Sequence, residues 1–126
     1  MSFAISWPEN TFLAEFSGVV TADEIEAVNN AFSGDGRMDT IRYSIWDFSR
    51  AASIEMPEHE IEYAAAFDKG VTAVRKTLRG ALIANNPQVK ERLNVYLAIA
   101  EDLGVDWDTR LFDTMESAEA WLEGRA

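Results

Sequence analysis

"SIWDFSRAASIEMPE", residues 44–58, is the stretch of this sequence that decides the fold. An apolar run reaches the carboxylate of Asp47, a polar turn follows, and Pro57 stands where a helix would start. Proline suits the first helical position because it has no amide hydrogen to leave unpaired. Residues 41–48 are apolar, β-branched or aromatic on both faces, which is typical of a strand that is covered on both sides. The stretch therefore predicts a central strand, a turn and a helix.

The residues before this stretch predict a hairpin and a helix. Two short alternating runs, SFAISW and TFLAEFSGVV, flank the turn composition Pro8-Glu9-Asn10. Thr21 and Glu24 have the spacing of a reciprocal helix cap, so a helix is expected to begin there. It should end near the glycines of residues 34–36. Apolar residues follow these periods, on the second strand Phe12, Ala14 and Phe16, and on the helix Ile25, Val28 and Phe32.

The residues after this stretch continue the alternation of helix and strand. Apolar residues at steps of three and four predict a helix from Pro57 to Leu78, with Ile61, Ala64, Phe67, Val71 and Val74 between them. GALIAN, residues 80–85, predicts a buried strand, and the following proline predicts a helix that Gly104 ends. TRLF, residues 109–112, predicts a short strand, and Thr114 is placed to cap a terminal helix.

The resulting order, β-β-α-β-α-β-α-β-α, predicts the fold class. Strands that alternate with helices require crossover connections and a mainly parallel sheet, and the first hairpin adds one antiparallel strand. We therefore expect an α/β fold with a mixed, largely parallel five-stranded sheet and about four helices. The chain has 126 residues, 48% of them hydrophobic, which is the usual size of one domain. Residues 1–126 are expected to form a single domain.

Composition argues against several classes of function. The net charge of −11 repels nucleic acid and anionic membranes. Cysteine is absent and His59 is the only histidine, which disfavours thiol nucleophiles and zinc sites. The glycines form neither a dinucleotide-binding nor a P-loop pattern, so no cofactor is expected. Neither a transmembrane run nor a secretory leader is recognisable, and we expect a cytoplasmic protein with no metal site.

Residues 69–92 are locally basic in this acidic chain. Six cationic residues face one acid, Glu91, and they are Lys69, Arg75, Lys76, Arg79, Lys90 and Arg92. One interpretation is that these side chains complement a helix C-terminus and solvate exposed faces. The other is a patch that binds an anion or an acidic partner.

Polar residues around the strand ends and helix starts form the candidate site. In α/β proteins this rim is the usual place for a site, because strand ends and helix N-termini meet there. We predict a binding surface, with no catalytic residue, formed by Asp47, Ser49, Glu55, Glu58, His59, Asn85 and Asn86. Several of these residues also have a structural interpretation. Asp47 can accept amides of its own turn, one asparagine can cap the next helix, and His59 can be solvated.

The order of elements and several short segments resemble the STAS superfamily, in particular its divergent SpoIIAA-like branch, a STAS/SEC14-like domain of unknown function. The segments are SGVVTADEI, WDFS, GALIA and LFDTMESAEAWL. The likeness covers nearly the whole chain. It implies a regulatory module, because members of this family antagonise anti-sigma factors and are phosphorylated on a serine that begins the helix after the third strand.

The sequence departs from that family at the phosphorylated position. Asp47-Phe48-Ser49 matches the family's Asp-Leu-Ser, and Ile54 matches its isoleucine. The next residues are Glu55, then Met56-Pro57-Glu58, where the family has Asp-Ser-Ser-Gly. The acceptor hydroxyls are missing, and Ser49 and Ser53 are expected to be structural. The surface is therefore expected to persist without the phosphorylation.

Three functions remain open from the sequence. The first is a non-enzymatic regulatory module that binds an unidentified protein partner, with a second copy of the chain as a further candidate partner. The alternative is a carrier of a small apolar ligand or lipid, which would use an apolar groove under the second helix beside Ala64-Ala65-Ala66 and Phe67. The third is a small enzyme that uses Asp47.

Overall fold

A mixed five-stranded sheet organises the computed structural model, which describes residues 3–124. In chain order the elements are β1 (Phe3–Ser6), β2 (Phe12–Thr21), α1 (Ala22–Ser33), β3 (Ser44–Glu55), α2 (Glu58–Val71), β4 (Arg79–Ile83), α3 (Pro87–Leu103), β5 (Asp108–Phe112) and α4 (Met115–Leu122). Short 3-10 turns lie at Pro8–Asn10 and Gly36–Asp39. The predicted order and fold class are confirmed.

The strands lie in the order β1-β2-β3-β4-β5, which makes β3 the central strand. β1 and β2 form the predicted antiparallel hairpin, and the other neighbouring pairs are parallel. Helices α1, α2 and α3 pack on one face, around buried residues such as Phe12, Phe16 and Phe48. Helix α4 covers the other face through Trp121 and Ala118, which pack on Ile45. The apolar residues on both faces of β3 follow from this double cover.

Local sequence signals set the helix boundaries. Thr21 and Glu24 form the predicted reciprocal cap, with the Glu24 amide 3.4 Å from the Thr21 hydroxyl and the Thr21 amide 3.1 Å from the Glu24 carboxylate. Asn86 and Thr114 cap α3 and α4 through their side chains. Gly104 ends α3 at a φ of 76°, a left-handed conformation that glycine adopts without strain.

The main correction concerns β3. The sequence placed a strand at 41–48 and then a polar turn, whereas β3 runs from Ser44 to Glu55. Asp47 is therefore not at a strand end. Residues after Asp47 remain paired with β2, and two irregularities in that pairing each insert one extra residue into β3. Such bulges break the alternation of apolar and polar residues, so the segment resembles a turn in sequence.

Helix α2 differs from the prediction at both ends. It begins at Glu58, and Pro57 precedes it with an extended ψ of 160°. It ends at Val71 because the chain turns at Thr72, whose hydroxyl donates to the Lys69 carbonyl at 2.6 Å. The apolar residues beyond this end do not continue the stripe, since Val74 is exposed and Leu78 is buried from a loop.

Trp7 and Trp107, which lie beside turns, are partly buried and pack against the core. The Trp7 ring lies 5.0 Å from that of Phe12, and the Trp107 ring lies 6.0 Å from that of Phe32. Trp107 also donates its indole hydrogen to the Arg75 carbonyl at 2.8 Å. Within residues 3–124, no helix combines the length and the apolar character that crossing a membrane requires.

Candidate functional site

The candidate site is the corner where β3 passes into α2. Ile54 and Met56 are buried at this corner, and Pro57 turns the chain so that its carbonyl accepts the amides of Glu60 and Ile61. β4 ends at Ile83, so the end of β3 has no neighbouring strand on that side. Backbone groups of a buried strand need partners, which have to come from elsewhere in the fold.

Side chains from the first two turns of α3 supply those partners. The Gln88 amide accepts from the Ile54 nitrogen at 2.9 Å and donates to the Ile54 carbonyl at 3.0 Å, as a neighbouring strand would. Asn86 donates to the Ala52 carbonyl at 3.0 Å while its oxygen caps α3. Arg92 donates to the Met56 carbonyl at 3.1 Å. The backbone of the corner is therefore fixed from the side.

Replacing Gln88 by alanine should lower the free energy of unfolding by about 1.5 kcal/mol, because both backbone groups of Ile54 lose their partner. Urea unfolding measures the loss, and amide hydrogen exchange at Ile54 should become faster. Gln88→Met is the matched control, since methionine keeps the aliphatic stem and removes both hydrogen bonds, and its cost should be close to that of alanine. An unchanged stability for Gln88→Ala would mean that the amide does not hold the strand.

Three of the predicted site residues are exposed around this fixed backbone, and we call Glu55, Glu58 and His59 the corner surface. Glu55 accepts from the Ser53 hydroxyl at 3.3 Å. The pKa of Arg92 is raised, mainly by its hydrogen bond to Glu91 and to a lesser degree by the nearby charge of Glu58. The corner surface thus presents two carboxylates and an imidazole on a backbone that other side chains hold in place.

The other predicted site residues are separate from the corner surface. Asp47 lies within β3 and accepts from the Ser49 amide at 2.9 Å, which is the local contact expected of a structural aspartate. Asn86 is occupied in capping α3 and holding Ala52, whereas Asn85 is exposed. Among the hydrogen bonds and ion pairs of residues 3–124, none joins Asp47 or Ser49 to the corner surface.

Sequence reasoning missed Gln88 and Arg92, the two α3 residues that fix the corner. Arg92 was considered only as one cation of the basic segment 69–92, and Gln88 was not singled out. A signal was present, because the helix starts beside the end of a strand and polar side chains in its first turns can reach backbone there. The backbone groups that these side chains reach are those left unpaired where β4 ends. The end of β4 is set by the pairing of strands in the sheet, which the sequence of α3 does not contain.

The start of α2 has no acceptor hydroxyl. Pro57 occupies the cap position and makes no side-chain cap hydrogen bond, and Met56 points into the core with 8% exposure. Glu58 and Glu60 lie in the first turn, where carboxylates favourably complement the helix dipole. Their negative charge opposes a phosphate at the same place.

The basic residues of 69–92 mostly bind carbonyls and carboxylates within the fold. Arg75 donates to the carbonyls of Met38, Ile41 and Thr77. Arg79 donates to the Leu122 carbonyl, and its guanidinium lies 4.2 Å from the Trp121 ring centroid. The remaining contacts are those of Lys69 with the Gly104 carbonyl, Lys90 with Asp113, and Arg92 with Met56 and Glu91. These contacts favour the structural interpretation of the basic segment.

A cavity of about 80 Å³ lies between the sheet and helices α1, α2 and α3. Its walls are mainly apolar and aromatic, and Asn29, Asp68 and Tyr96 are among its polar residues. The Tyr96 hydroxyl donates to the Asp68 carboxylate. Burial raises the pKa of Asp68 to about 6 against the opposing effect of this hydrogen bond, and burial also raises the pKa of Tyr96.

Comparison with known proteins shows the fold. The structure of the anti-sigma factor antagonist SpoIIAA in its unphosphorylated form matches with a TM-score of 0.63 and 16% identity, over 97% of this chain and 96% of that one. A Thermotoga maritima protein, provisionally described as an anti-sigma factor antagonist, matches with a TM-score of 0.65 and 12% identity, over 96% and 94% of the two chains.

A third structure has the same architecture. It is an uncharacterised protein of the DUF3478 family from Shewanella loihica, described as having a SpoIIAA-like fold, with a TM-score of 0.52 and 13% identity over 95% of this chain and 91% of that one. No protein-family model and no curated protein sequence matches the chain significantly. The chain has a SpoIIAA-like fold, as the sequence resemblance predicted.

Proposed function

We propose that this chain is a non-enzymatic regulatory module that binds a partner protein through the corner surface. The observation that carries the proposal is the exposure of Glu55, Glu58 and His59 on backbone that α3 side chains hold in place. The likeness in fold to anti-sigma factor antagonists supports the regulatory class.

The fixed backbone favours binding at this place. Ordering a flexible segment costs free energy when a complex forms, whereas a segment that is already ordered avoids most of that cost. The hydrogen bonds from Gln88 and Arg92 to Ile54 and Met56 order the corner in the free protein. A partner then meets a prearranged set of charges.

The chemistry of the corner surface indicates the kind of partner. Two exposed carboxylates in a chain of net charge −11 attract a surface that carries lysine or arginine. Asp47, Ser49 and Asn85 belong to the proposed surface only as its periphery, since they do not contact the corner. Asp47 accepts from the Ser49 amide within β3, so the proposal assigns it a structural role and includes no catalytic step.

Regulation in this proposal does not use a phosphoserine at the start of α2. The absence of a hydroxyl at Met56, Pro57 and Glu58 removes the acceptor from that position. Ser53 instead donates to Glu55, and Ser49 donates its amide to Asp47. Control of binding would come from the availability of the partner or from competition for the corner surface.

Changing the charge of the corner surface should separate binding from stability. We expect Glu55→Lys, Glu58→Lys and His59→Ala in one chain to reduce capture of partner proteins from a native lysate at least about tenfold, because close charge pairs contribute strongly to association. Added salt should weaken capture by the unaltered chain. Quantitative mass spectrometry of the captured proteins gives the measurement.

The matched control carries Glu116→Lys and Glu119→Lys on α4. These residues are exposed, Glu116 lies in a first helical turn as Glu58 does, and α4 covers the opposite face of the sheet. The control changes the net charge by the same two glutamate reversals and should capture as the unaltered chain does. Equal capture by all three chains would show that the corner surface is not the partner surface.

A further inference from the structure

The cavity between the sheet and helices α1, α2 and α3 lies next to a groove on the surface. The groove of about 510 Å³ runs between α1 and α2. Four residues line both spaces, and we call them the throat, namely Ile25, Asn29, Met56 and Ala64. The throat is therefore the place where a molecule in the groove comes nearest to the cavity.

Asn29 lies at this throat with an unusual environment for an amide. Its residue exposure is 6%, yet no hydrogen bond among residues 3–124 involves its side chain, and only its backbone carbonyl accepts, from Ser33. Buried polar side chains are normally hydrogen-bonded, because an unpaired amide costs free energy. No fully enclosed side-chain nitrogen or oxygen in this part of the chain lacks a partner, so the amide reaches open space, and Asn29 lines both the cavity and the groove.

The cavity walls suit a narrow apolar group. Most of the lining is apolar, from Phe32, Trp46, Phe48, Leu93 and Trp107 together with aliphatic side chains, and Asp68, Arg92 and Tyr96 also line the cavity. A cavity of about 150 Å³ holds benzene in another protein. The volume here, about 80 Å³, is roughly half of that and suits an alkyl chain of about four carbons.

The charged residues at the mouth of the groove determine which polar head group a bound molecule can carry. Three acidic residues line it, namely Asp23, Glu26 and Glu60, together with His59. Neither lysine nor arginine is among its lining residues. Carboxylates in a groove attract a cation and repel an anion. A fatty acid or a phospholipid phosphate would meet repulsion at this place.

We infer that the cavity and its throat bind a small amphiphilic amine, with the alkyl tail in the cavity and the ammonium at the throat. The ammonium donates to the Asn29 oxygen and is balanced by the carboxylates of the groove. This site adjoins the corner surface, since Ile54, Met56 and Arg92 of the corner also line the cavity and His59 lines the groove, but it takes a different ligand.

Three probes of equal length test the inference at pH 7.5, namely hexylamine, hexan-1-ol and hexanoate, whose chains would place about four carbons in the cavity and the others at the throat. Titration is followed by amide chemical shifts of Asn29, Ala64 and Asp68, together with the indole signals of Trp46 and Trp107. We expect hexylamine to bind at least tenfold more tightly than hexanoate and clearly more tightly than hexan-1-ol. Equal binding of the amine and the alcohol, or binding of none of the three, would overturn the inference.

Asn29→Leu separates a ligand role from a structural one. Leucine removes the unpaired amide and is a good helix former, so the thermal midpoint should rise by about 3 to 6 °C while hexylamine binding weakens at least fivefold. Asn94→Leu, on an exposed position of α3, is the control, and it should share only the smaller gain from helix propensity and leave hexylamine binding unchanged. A fall in thermal midpoint for Asn29→Leu would mean that the amide supports the fold, and would overturn its assignment to a ligand.

Ala64→Leu gives an independent check, because the larger side chain narrows the throat that Ala64 lines. This variant should lose hexylamine binding while its circular dichroism spectrum stays that of the unaltered protein. Retained binding in the folded variant would show that the amine does not pass through the throat.

Discussion

Replacing Arg75 by methionine should lower the free energy of unfolding by about 3 kcal/mol, the largest loss expected from any single basic residue of the segment 69–92. The guanidinium donates to the Met38 carbonyl at 2.9 Å and to the Ile41 and Thr77 carbonyls at 3.0 Å. Hydrogen bonds from a charged donor contribute more than neutral ones. Methionine keeps most of the aliphatic stem, so the loss reports the hydrogen bonds rather than the packing.

Lys76→Met is the matched control for Arg75→Met. It removes the same charge from the neighbouring residue, which is exposed, and should change stability by less than about 0.5 kcal/mol. Urea unfolding of both variants under the same conditions gives the comparison. If the two variants were equally stable, the carbonyl contacts of Arg75 would contribute little to stability. The structural interpretation of the basic segment would then lose its support, and anion binding would be the interpretation to test.

The behaviour of Arg75 shows what charge patterning in a sequence leaves undecided. The sequence identifies a locally basic segment with two interpretations. In one, the cations complement a helix dipole and solvate exposed faces, and in the other they bind an anion or an acidic partner. The structure places Arg75 beyond the end of α2, where it joins the loop before β3 to the loop before β4. Two of its three acceptors, the carbonyls of Met38 and Ile41, are more than thirty residues away, and a carbonyl has no signature in the sequence.

Local chemistry, by contrast, gave the order of elements correctly. The cap at Thr21, the asparagine before Pro87 and the glycine at 104 each satisfy or release backbone groups within a few residues of themselves. Signals of this kind do not depend on the rest of the fold. The alternation of strands and helices then restricts the sheet to a few topologies.

The second half of β3 could not be predicted because its structure depends on contacts with distant parts of the chain. Residues 49–53 are small or polar and do not alternate, because two extra residues in the pairing with β2 shift the faces. Gly18, next to one of these irregularities, has a φ of 67°. Strand pairing and the side chains of Asn86 and Gln88 hold this segment, and both come from distant parts of the chain.

The candidate site was predicted in part. Glu55, Glu58 and His59 are exposed at one corner, as a binding surface requires, but their role stays a prediction until it is tested. Asp47 was singled out because it seemed to end a strand, and its importance lessens once β3 continues to Glu55. The acid with the clearest electrostatic perturbation, Asp68, was passed over as one polar residue within a helix.

Asp68 was missed because its environment comes from three helices. On α2 alone it lies at a helical step of three from Ala65, among charged residues that are solvated. In the fold it is 8% exposed, it accepts from Tyr96 of α3, and it lines the same cavity as Asn29 of α1 and Arg92 of α3. A buried carboxyl group binds its proton more tightly than an exposed one.

Replacing Asp68 by asparagine should therefore stabilise the protein in a pH-dependent manner. The pKa of Asp68 is about 6 in the folded state, against 3.8 for an ordinary aspartate. Below pH 3.8 the carboxyl is protonated in both the folded and unfolded states. As the pH rises from 3.8 to 6 it ionises first in the unfolded state, so the unaltered protein loses stability through this window. Above pH 6 the cost levels off at about 3 kcal/mol, which is the shift multiplied by 1.36 kcal/mol per pH unit.

Urea unfolding of the two proteins at pH 4.5, 5.5 and 7.5 tests this expectation through the difference between them, since other carboxylates affect both alike. The advantage of Asp68→Asn should grow by about 2 kcal/mol between pH 4.5 and 7.5. Asp102→Asn, an exposed acid on α3, is the control and should show a nearly constant difference from the unaltered protein.

Tyr96→Phe removes the donor that favours the ionised carboxylate of Asp68. The pKa of Asp68 should therefore be higher in this variant, and its loss of stability with rising pH should extend to a higher pH than in the unaltered protein. A difference between Asp68→Asn and the unaltered protein that does not vary with pH would mean that Asp68 does not titrate in this window, and its carboxylate would then have to be stabilised in the cavity by a group such as Arg92.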